Sequence, residues 1–449
     1  MKNFLFLIII SAAVFSCDKD KTYDKEKAVS AFVSIDPIKI DESLAGVEIK
    51  IPQQENSNLA FANPALQNSK IENFKFDFTF TERGFFKKYQ EIKLQSSSKF
   101  FALYLGDEMD NFVYHPVIFD NKAFIIKTSG SVYAIDLASE KTLWKKSVFK
   151  KYFIKNYKTA KISYDNGILF VINGSNQIAA LKAENGEVLW IKDLLAIAIS
   201  TPVSDGKNVY VLTDTNKLYA LNASTGEVAW MHSGVLKNTA IFGAATPVIY
   251  GDFLVVSYSS GEIYVLNKNS GEGLWTQDLN LNKATSSDFY LNDIDATPLV
   301  VGNVVYAIGN GGVMMAFDIA SGNYLWRKKI AGITDFWGAG EFLFVINNDN
   351  KLIALAKKTG GIKWISQLPD YKKKNKVQTK FIYSGIVMAG DKLMISRADG
   401  ELIIASPLNG KIEKTYNIGR RILHAPVIVD GKIYLNSIGG WTNGLIEIK

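Results

Sequence analysis

Short apolar runs recur along most of this chain, each followed by a polar turn and a second run that ends in tryptophan. In one copy, Leu218-Tyr219-Ala220-Leu221-Asn222 passes through Ala223-Ser224-Thr225-Gly226 to Glu227-Val228-Ala229-Trp230. In another, Ala316-Phe317-Asp318 passes through Ser321-Gly322 to Tyr324-Leu325-Trp326. Each copy predicts a β-hairpin, because the glycine can take the positive φ that a tight turn needs. Further copies end at Trp144, Trp190, Trp275 and Trp364, and a seventh ends at Lys414. Successive ends lie 38 to 51 residues apart. That spacing fits a four-stranded propeller blade and exceeds the roughly 33–34 residues of tetratricopeptide or ankyrin units.

A second recurring element precedes each hairpin: Thr201-Pro202-Val203, Thr246-Pro247-Val248, Thr297-Pro298-Leu299 and Ala425-Pro426-Val427, each with a further apolar run such as Val209-Tyr210-Val211-Leu212. One unit therefore supplies four strands. The runs are apolar on both faces, as expected for sheets sandwiched between other sheets. A buried tryptophan removes about 150–250 Å² from water, so the repeated Trp is read as packing between blades. The eighth unit starts at Ala425-Pro426 and stops at Leu445-Ile446-Glu447-Ile448, one strand short. The alternation Phe74-Lys75-Phe76-Asp77-Phe78-Thr79-Phe80 is predicted to supply the missing strand. The expectation is an all-β fold, an eight-bladed β-propeller over residues 70–449 closed by its N- and C-terminal strands, which leaves no open sheet edge.

The N-terminus changes the setting. Met1-Lys2-Asn3 is a short basic start, Phe4 to Ile10 is apolar, and Val14-Phe15-Ser16 precedes Cys17, the single cysteine of the chain. The apolar stretch is shorter than the roughly 20 residues of a membrane span, so residues 1–16 read as a cleaved lipoprotein signal peptide and Cys17 as the lipidation site. Residues 17–69, rich in polar side chains and without a repeat, read as a lipidated tether and extended lead-in. The formal charge is +7, concentrated at Lys150–Lys158 and Lys372–Lys376. Both stretches read as solvated loops, or as contacts for an anionic membrane or acidic partner; an exported chain argues against nucleic acid.

Catalytic chemistry is sparse. His115, His232 and His424 are the three histidines, and none has a metal-ligand spacing; no nucleophile elbow or phosphate-cradling glycine loop is present. His115-Pro116 and His424-Ala425-Pro426 share one repeat position and read as structural. No catalytic residue, metal or cofactor is expected.

The phrase from Leu218 to Trp230 resembles the repeat shared by quinoprotein dehydrogenases and the BamB-like lipoproteins of the outer-membrane β-barrel assembly machine, both of which are eight-bladed propellers. The dehydrogenases typically place adjacent cysteines beside pyrroloquinoline quinone; a chain with Cys17 alone departs from them. Ser286 to Pro298, Ile333-Thr334-Asp335-Phe336 and Asn347 to Leu355 are similar to BamB segments, over a resemblance that spans Phe74 to Lys449. It implies a non-enzymatic scaffold of β-barrel protein assembly on the periplasmic face of the outer membrane, a monomer within a complex. Its implied partners are the polypeptide-transport-associated domains of BamA, other subunits of the machine, and the membrane through the lipid.

Carried over by position, the partner-binding residues are Thr239, Ile241, Phe242 and Gly243 on one loop and Asp293 and Asp295 on the next. The carboxylates would accept charge-assisted hydrogen bonds, and Ile241 and Phe242 would give apolar contact. Where the family has an arginine this chain has Phe242, and a ring cannot reproduce a bidentate fork. Asp293 and Asp295 also suit turn capping before Thr297-Pro298. Asp18 resembles the enterobacterial signal for inner-membrane retention, and Asp18-Lys19-Asp20 the charged tag of surface lipoproteins. Two alternatives follow: a periplasmic quinone- or sugar-binding propeller, and a surface lipoprotein with another protein partner.

Overall fold

The computed structural model describes residues 38–60, 70–78, 89–92, 115–127, 129–149, 160–235, 244–280, 293–374, 377–438 and 444–448. Among these, eight antiparallel sheets of four or five strands follow one another, with one additional two-stranded hairpin. The third sheet is representative. Val203–Ser204, Asn208–Leu212, Lys217–Asn222 and Val228–Ser233 lie in chain order, with Val209 opposite Leu221 and Ala220 opposite Trp230. The middle strands are buried on both faces and the fourth is largely exposed. The architecture is all-β and propeller-like.

Because neighbouring strands are antiparallel, the first-to-second and third-to-fourth turns of a sheet lie at one end. The second-to-third turns and the connections to the next sheet lie at the other. We call these the turn end and the connection end.

The hairpin glycine and the tryptophan turn out to be two halves of one joint. Each indole sits on the third-to-fourth turn of the following sheet and donates its N–H to a carbonyl there: Trp144 to Ala183 (3.1 Å), Trp190 to Ala223 (2.9 Å), Trp230 to Lys268 (3.2 Å), Trp275 to Ile319 (2.7 Å), Trp326 to Lys357 (2.8 Å) and Trp364 to Pro407 (3.1 Å). The glycine of that turn lies under the ring. At Gly226, φ is +73° and a Cβ would fall 2.7 Å from the Trp190 ring, so both backbone conformation and space demand glycine. A β-bulge recurs beside the Trp position, for example between Ala354 and Leu355 opposite Trp364.

The pattern breaks at one place. In the seventh sheet the bulge is retained between Ile404 and Ala405, but Lys414 occupies the Trp position. The sheet that follows is built from both chain ends: Val427–Val429, Lys432–Ile438 and Gly444–Ile448, with Tyr89–Ile92 added as a fourth strand along Gly444–Ile448. Its third and fourth strands therefore share no turn, and nothing equivalent exists for an indole to sit on. Likewise Glu140 stands in the glycine position of the first sheet, at φ +56°, where no tryptophan arrives from Tyr89–Ile92. This eighth sheet and its two junctions form a seam.

The expectation for Phe74–Phe80 is corrected here. The N-terminal strand that pairs with the last one is Tyr89–Ile92, with Tyr89 opposite Ile448. Phe74 instead bridges in parallel to Glu55 and to Ala389 of the seventh sheet. Its ring is buried against Trp337 at 5.7 Å, and Phe76 is buried in the same core cluster. Apolar alternation specifies a half-buried strand but not which edge it meets. Thr79 and Phe80 lie outside the described residues.

The lead-in from Ile38 belongs to the same compact unit as the sheets. It crosses the turn end of four of them in order. Asp41 N–H donates to Ile362 O (2.8 Å), Asn73 Nδ2 donates to Pro52 O (2.9 Å) and Asp391 Oδ1 (2.7 Å), Asp430 N–H donates to Ser57 O (2.8 Å), and Leu59–Ala60 pairs with Ile118 and Phe119 of the first sheet. Glu72 ties in further: its carbonyl accepts from Trp337 Nε1 (2.7 Å), and its carboxylate meets Lys357 Nζ at 2.8 Å. This strap covers both junctions of the seam.

Candidate functional site

Of the partner-binding residues expected from the sequence, Asp293 and Asp295 are among the described residues and lie at the connection end. Thr239, Ile241, Phe242 and Gly243 lie in the connection from Val228–Ser233 of the third sheet to Val248–Tyr250 of the fourth, outside the described residues. Asp293 and Asp295 end the next connection, ahead of Leu299–Val301 of the fifth sheet. Asp293 has no exposed surface, and its carbonyl accepts from Asn310 N–H at 3.0 Å. Asp295 is partly buried. Cys17 also lies outside the described residues.

Asp295 belongs to a polar cluster that the sequence did not reveal as a unit. Lys161 begins the second sheet, Asp335 precedes the sixth, and His115 and His424 precede the first and eighth. These side chains act on one another although their sheets are far apart in the chain. The His115 and His424 rings are 4.5 Å apart, and Asp335 Oδ1 accepts from Thr297 N–H at 2.6 Å.

Burial dominates their electrostatics. It raises the Asp295 carboxyl to about 7; Asp293 and Asp335 push it further the same way, while Lys161 opposes them. Burial lowers the Lys161 ammonium to about 8 against the pull of Asp335 and Asp295. His424 is lowered to about 4 by burial and by Lys161, and His115 falls well below its ordinary value through burial, His424 and Lys161. Desolvation disfavours each charged form, and the neighbours decide how far.

The cluster therefore holds one cation among carboxylates beside two neutral imidazoles. Chemically it can exchange a proton near neutrality and tie distant first strands together. The shared repeat position of His115 and His424 was readable in the sequence. Their meeting with Lys161, and that of Lys161 with Asp295, was not, since both depend on the path of the sheets. Among the described residues no group of three or more His, Cys, Asp or Glu side chains is arranged to hold a metal. His232 lies apart, with Nδ1 2.7 Å from the Tyr258 hydroxyl.

A family profile for outer membrane protein assembly factor BamB matches residues 115–366. The outer membrane protein assembly factor BamB of Escherichia coli K12 is 25% identical over 346 residues, covering 75% of this chain and 85% of that protein. The one from Yersinia pestis is 31% identical over a shorter stretch of 151 residues, 33% of this chain and 36% of that protein. Among solved structures, BamB from Moraxella catarrhalis superposes with a TM-score of 0.63 at 19% identity, covering 74% of this chain and 94% of that one. Quinohemoprotein alcohol dehydrogenase from Comamonas testosteroni shares the fold at a TM-score of 0.61 and 12% identity, over 87% of this chain and 80% of that one.

Proposed function

Because the chain belongs to the BamB family of outer membrane protein assembly factors, we propose that it is a non-enzymatic, lipid-anchored scaffold of the β-barrel assembly machinery on the periplasmic face of the outer membrane. The family match over residues 115–366 carries this reading. In it, the eight sheets are the blades of a propeller closed through Tyr89–Ile92 and Gly444–Ile448. The electrostatic pull on the second sheet's Lys161 from Asp295 and Asp335, which precede the fifth and sixth sheets, supports such a ring. A rigid ring holds its loops at fixed spacing, which suits a protein that positions partners.

The working surface is the pair of neighbouring connections that contain Thr239–Gly243 and Asp293–Asp295, bound to the periplasmic domains of BamA. Ile241 and Phe242 supply its apolar contact. Buried Asp293 and partly buried Asp295 act mainly by holding the second connection in shape. Lipid on Cys17 keeps the ring beside the membrane, with residues 18–37 as the leash.

The test is a pull-down of the chain from Asp18 onward with the isolated periplasmic region of BamA from the same organism, alongside Ile241→Asp/Phe242→Asp. We expect capture by the parent and at least tenfold weaker capture by the double variant. Equal capture of both would remove this face from the reading, and no capture at tens of micromolar would remove the BamA partnership.

A further inference from the structure

The two-stranded hairpin at the connection end, between the sixth and seventh sheets, lies outside the partner loops. Tyr371–Lys374 pairs antiparallel with Val377–Lys380, Tyr371 opposite Lys380 and Lys374 opposite Val377. Neither strand pairs with any other among the described residues. Its base is firmly held. Asp370 Oδ1 accepts from Asn350 Nδ2 at 2.8 Å, Phe381 N–H donates to Asp370 O at 2.8 Å, and the Arg397 guanidinium lies 3.8 Å from the Phe381 ring centroid. Arg397 is itself neutralised by Asp399 and Glu401. The hairpin is thus a rigidly rooted projection.

Its composition is one-sided. From Tyr371 to Ile382 there are five lysines, Lys372, Lys373, Lys374, Lys376 and Lys380, with no acidic residue and no arginine. Lys372, Gln378, Thr379 and Lys380 are exposed, and the Lys380 ammonium reaches back to Asn348 O at 2.6 Å. Tyr371 and Ile382 are 50% and 67% exposed at the hairpin's foot. A long apolar side chain left open beside a lysine cluster is unexplained by ring packing, whose core lies in the sheets.

We propose that this hairpin docks the ring onto an anionic phospholipid surface. Five lysines with no acid between Tyr371 and Ile382 complement a negative headgroup layer. Lysine alone favours a diffuse negative surface over a specific carboxylate partner, for which the planar arginine fork is better suited. Exposed Tyr371 and Ile382 supply the amphipathic edge that settles at the headgroup level, as aromatic and aliphatic side chains do at membrane interfaces. Docking through the connection end would fix which way the ring faces, something attachment by lipid at a single residue cannot do. The inference does not depend on the BamA reading or on lipidation.

The experiment uses unlipidated protein from Asp18 onward in co-sedimentation with vesicles of phosphatidylglycerol and phosphatidylethanolamine, against pure phosphatidylcholine. The comparison variant is Lys372→Gln/Lys374→Gln/Lys376→Gln, checked for an unchanged thermal transition; a second variant is Tyr371→Ser/Ile382→Ser. Binding should require the anionic lipid and weaken with added salt. Each lysine removed near such a surface should weaken binding about fivefold, so the triple lysine variant should bind roughly a hundredfold more weakly. Equal binding to both vesicle types, or a triple variant that binds like the parent, would overturn the proposal. Retention on an acidic polypeptide such as polyglutamate without vesicle binding would overturn it in favour of a protein contact.

Discussion

Six junctions between consecutive sheets are made by one device and two by another. From the first sheet to the seventh, an indole lies on a glycine turn and donates a hydrogen bond to it. Around the eighth sheet, Lys414 and Glu140 replace the two partners of that joint, and the N-terminal strap crosses the gap. The difference teaches that the repeat motif is a property of the junction and not of the sheet. The seventh sheet keeps the strand register and the bulge of its predecessors; it lacks only the side chain whose receptor is missing. A chain that closes a sheet from both its ends has no turn there to offer, and stability at that place must come from elsewhere.

The largest test of this contrast compares Trp364→Ala with Lys414→Ala, which occupy equivalent positions in adjacent sheets. Trp364 is buried, packs 6.0 Å from the Phe344 ring and bonds to Pro407 O. Its truncation should cost about 3–5 kcal/mol in denaturant unfolding. Lys414, whose ammonium lies 5.3 Å from the Tyr416 ring centroid, should cost less than about 1 kcal/mol. Comparable losses at the two sites would end the distinction between joint and seam.

The strap offers the next largest effect. Asn73 is fully buried and donates to both Pro52 O and Asp391 Oδ1, so it ties the strap to itself and to the seventh sheet. Asn73→Ala leaves those acceptors unpaired and should cost about 1–3 kcal/mol. The sharper readout is hydrogen exchange: amides of Lys432–Ile438 and Gly444–Ile448 should lose protection before those of the third and fourth sheets. Uniform loss across all sheets would show that the strap stabilises the fold generally and does not serve the seam.

Much of this was legible in the chain. The glycine and tryptophan of each repeat carried their own reasons, positive φ and a large apolar ring, and the missing tryptophan at Lys414 flagged the odd sheet. What could not be read was how distant segments meet. Phe74 and Phe76 alternate like a strand, yet they pack where the sixth sheet offers Trp337 and Phe342 and the seventh offers Ala389. Tyr89-Gln90-Glu91-Ile92, which pairs with the last strand, has no comparable apolar signature. The cluster of Lys161, Asp295, Asp335, His115 and His424 is likewise a product of how distant sheets are arranged, since no local spacing links its members.

That cluster gives a pH test of smaller size. The folded-state Asp295 carboxyl titrates near 7 against an ordinary value of 3.8, so the folded state binds its proton more tightly than the unfolded chain does. Its contribution to stability is fullest below about 4 and declines as pH rises toward 7. Asp295→Asn should therefore flatten the fall in stability between pH 4 and pH 7, measured as denaturation midpoints. An unchanged slope would mean that Lys161 already holds the carboxylate ionised at low pH.

The smallest effect is also the most specific to the seam. Elsewhere the turn residue at the Glu140 position must be glycine for two reasons, the left-handed backbone and the ring above it. At Glu140 only the first remains, because the preceding strand, Tyr89–Ile92, carries no tryptophan. A non-glycine residue at φ +56° costs roughly 1 kcal/mol. Glycine relieves that strain but adds freedom to the unfolded chain, so Glu140→Gly should stabilise by only about 0.5 kcal/mol. The reciprocal change, Gly226→Ala beneath Trp190, faces strain and collision together and should destabilise by several times as much. If Glu140→Gly destabilised the fold instead, the Glu140 side chain would be making a contact worth more than its strain. The seam would then have a receptor of its own in place of an empty one.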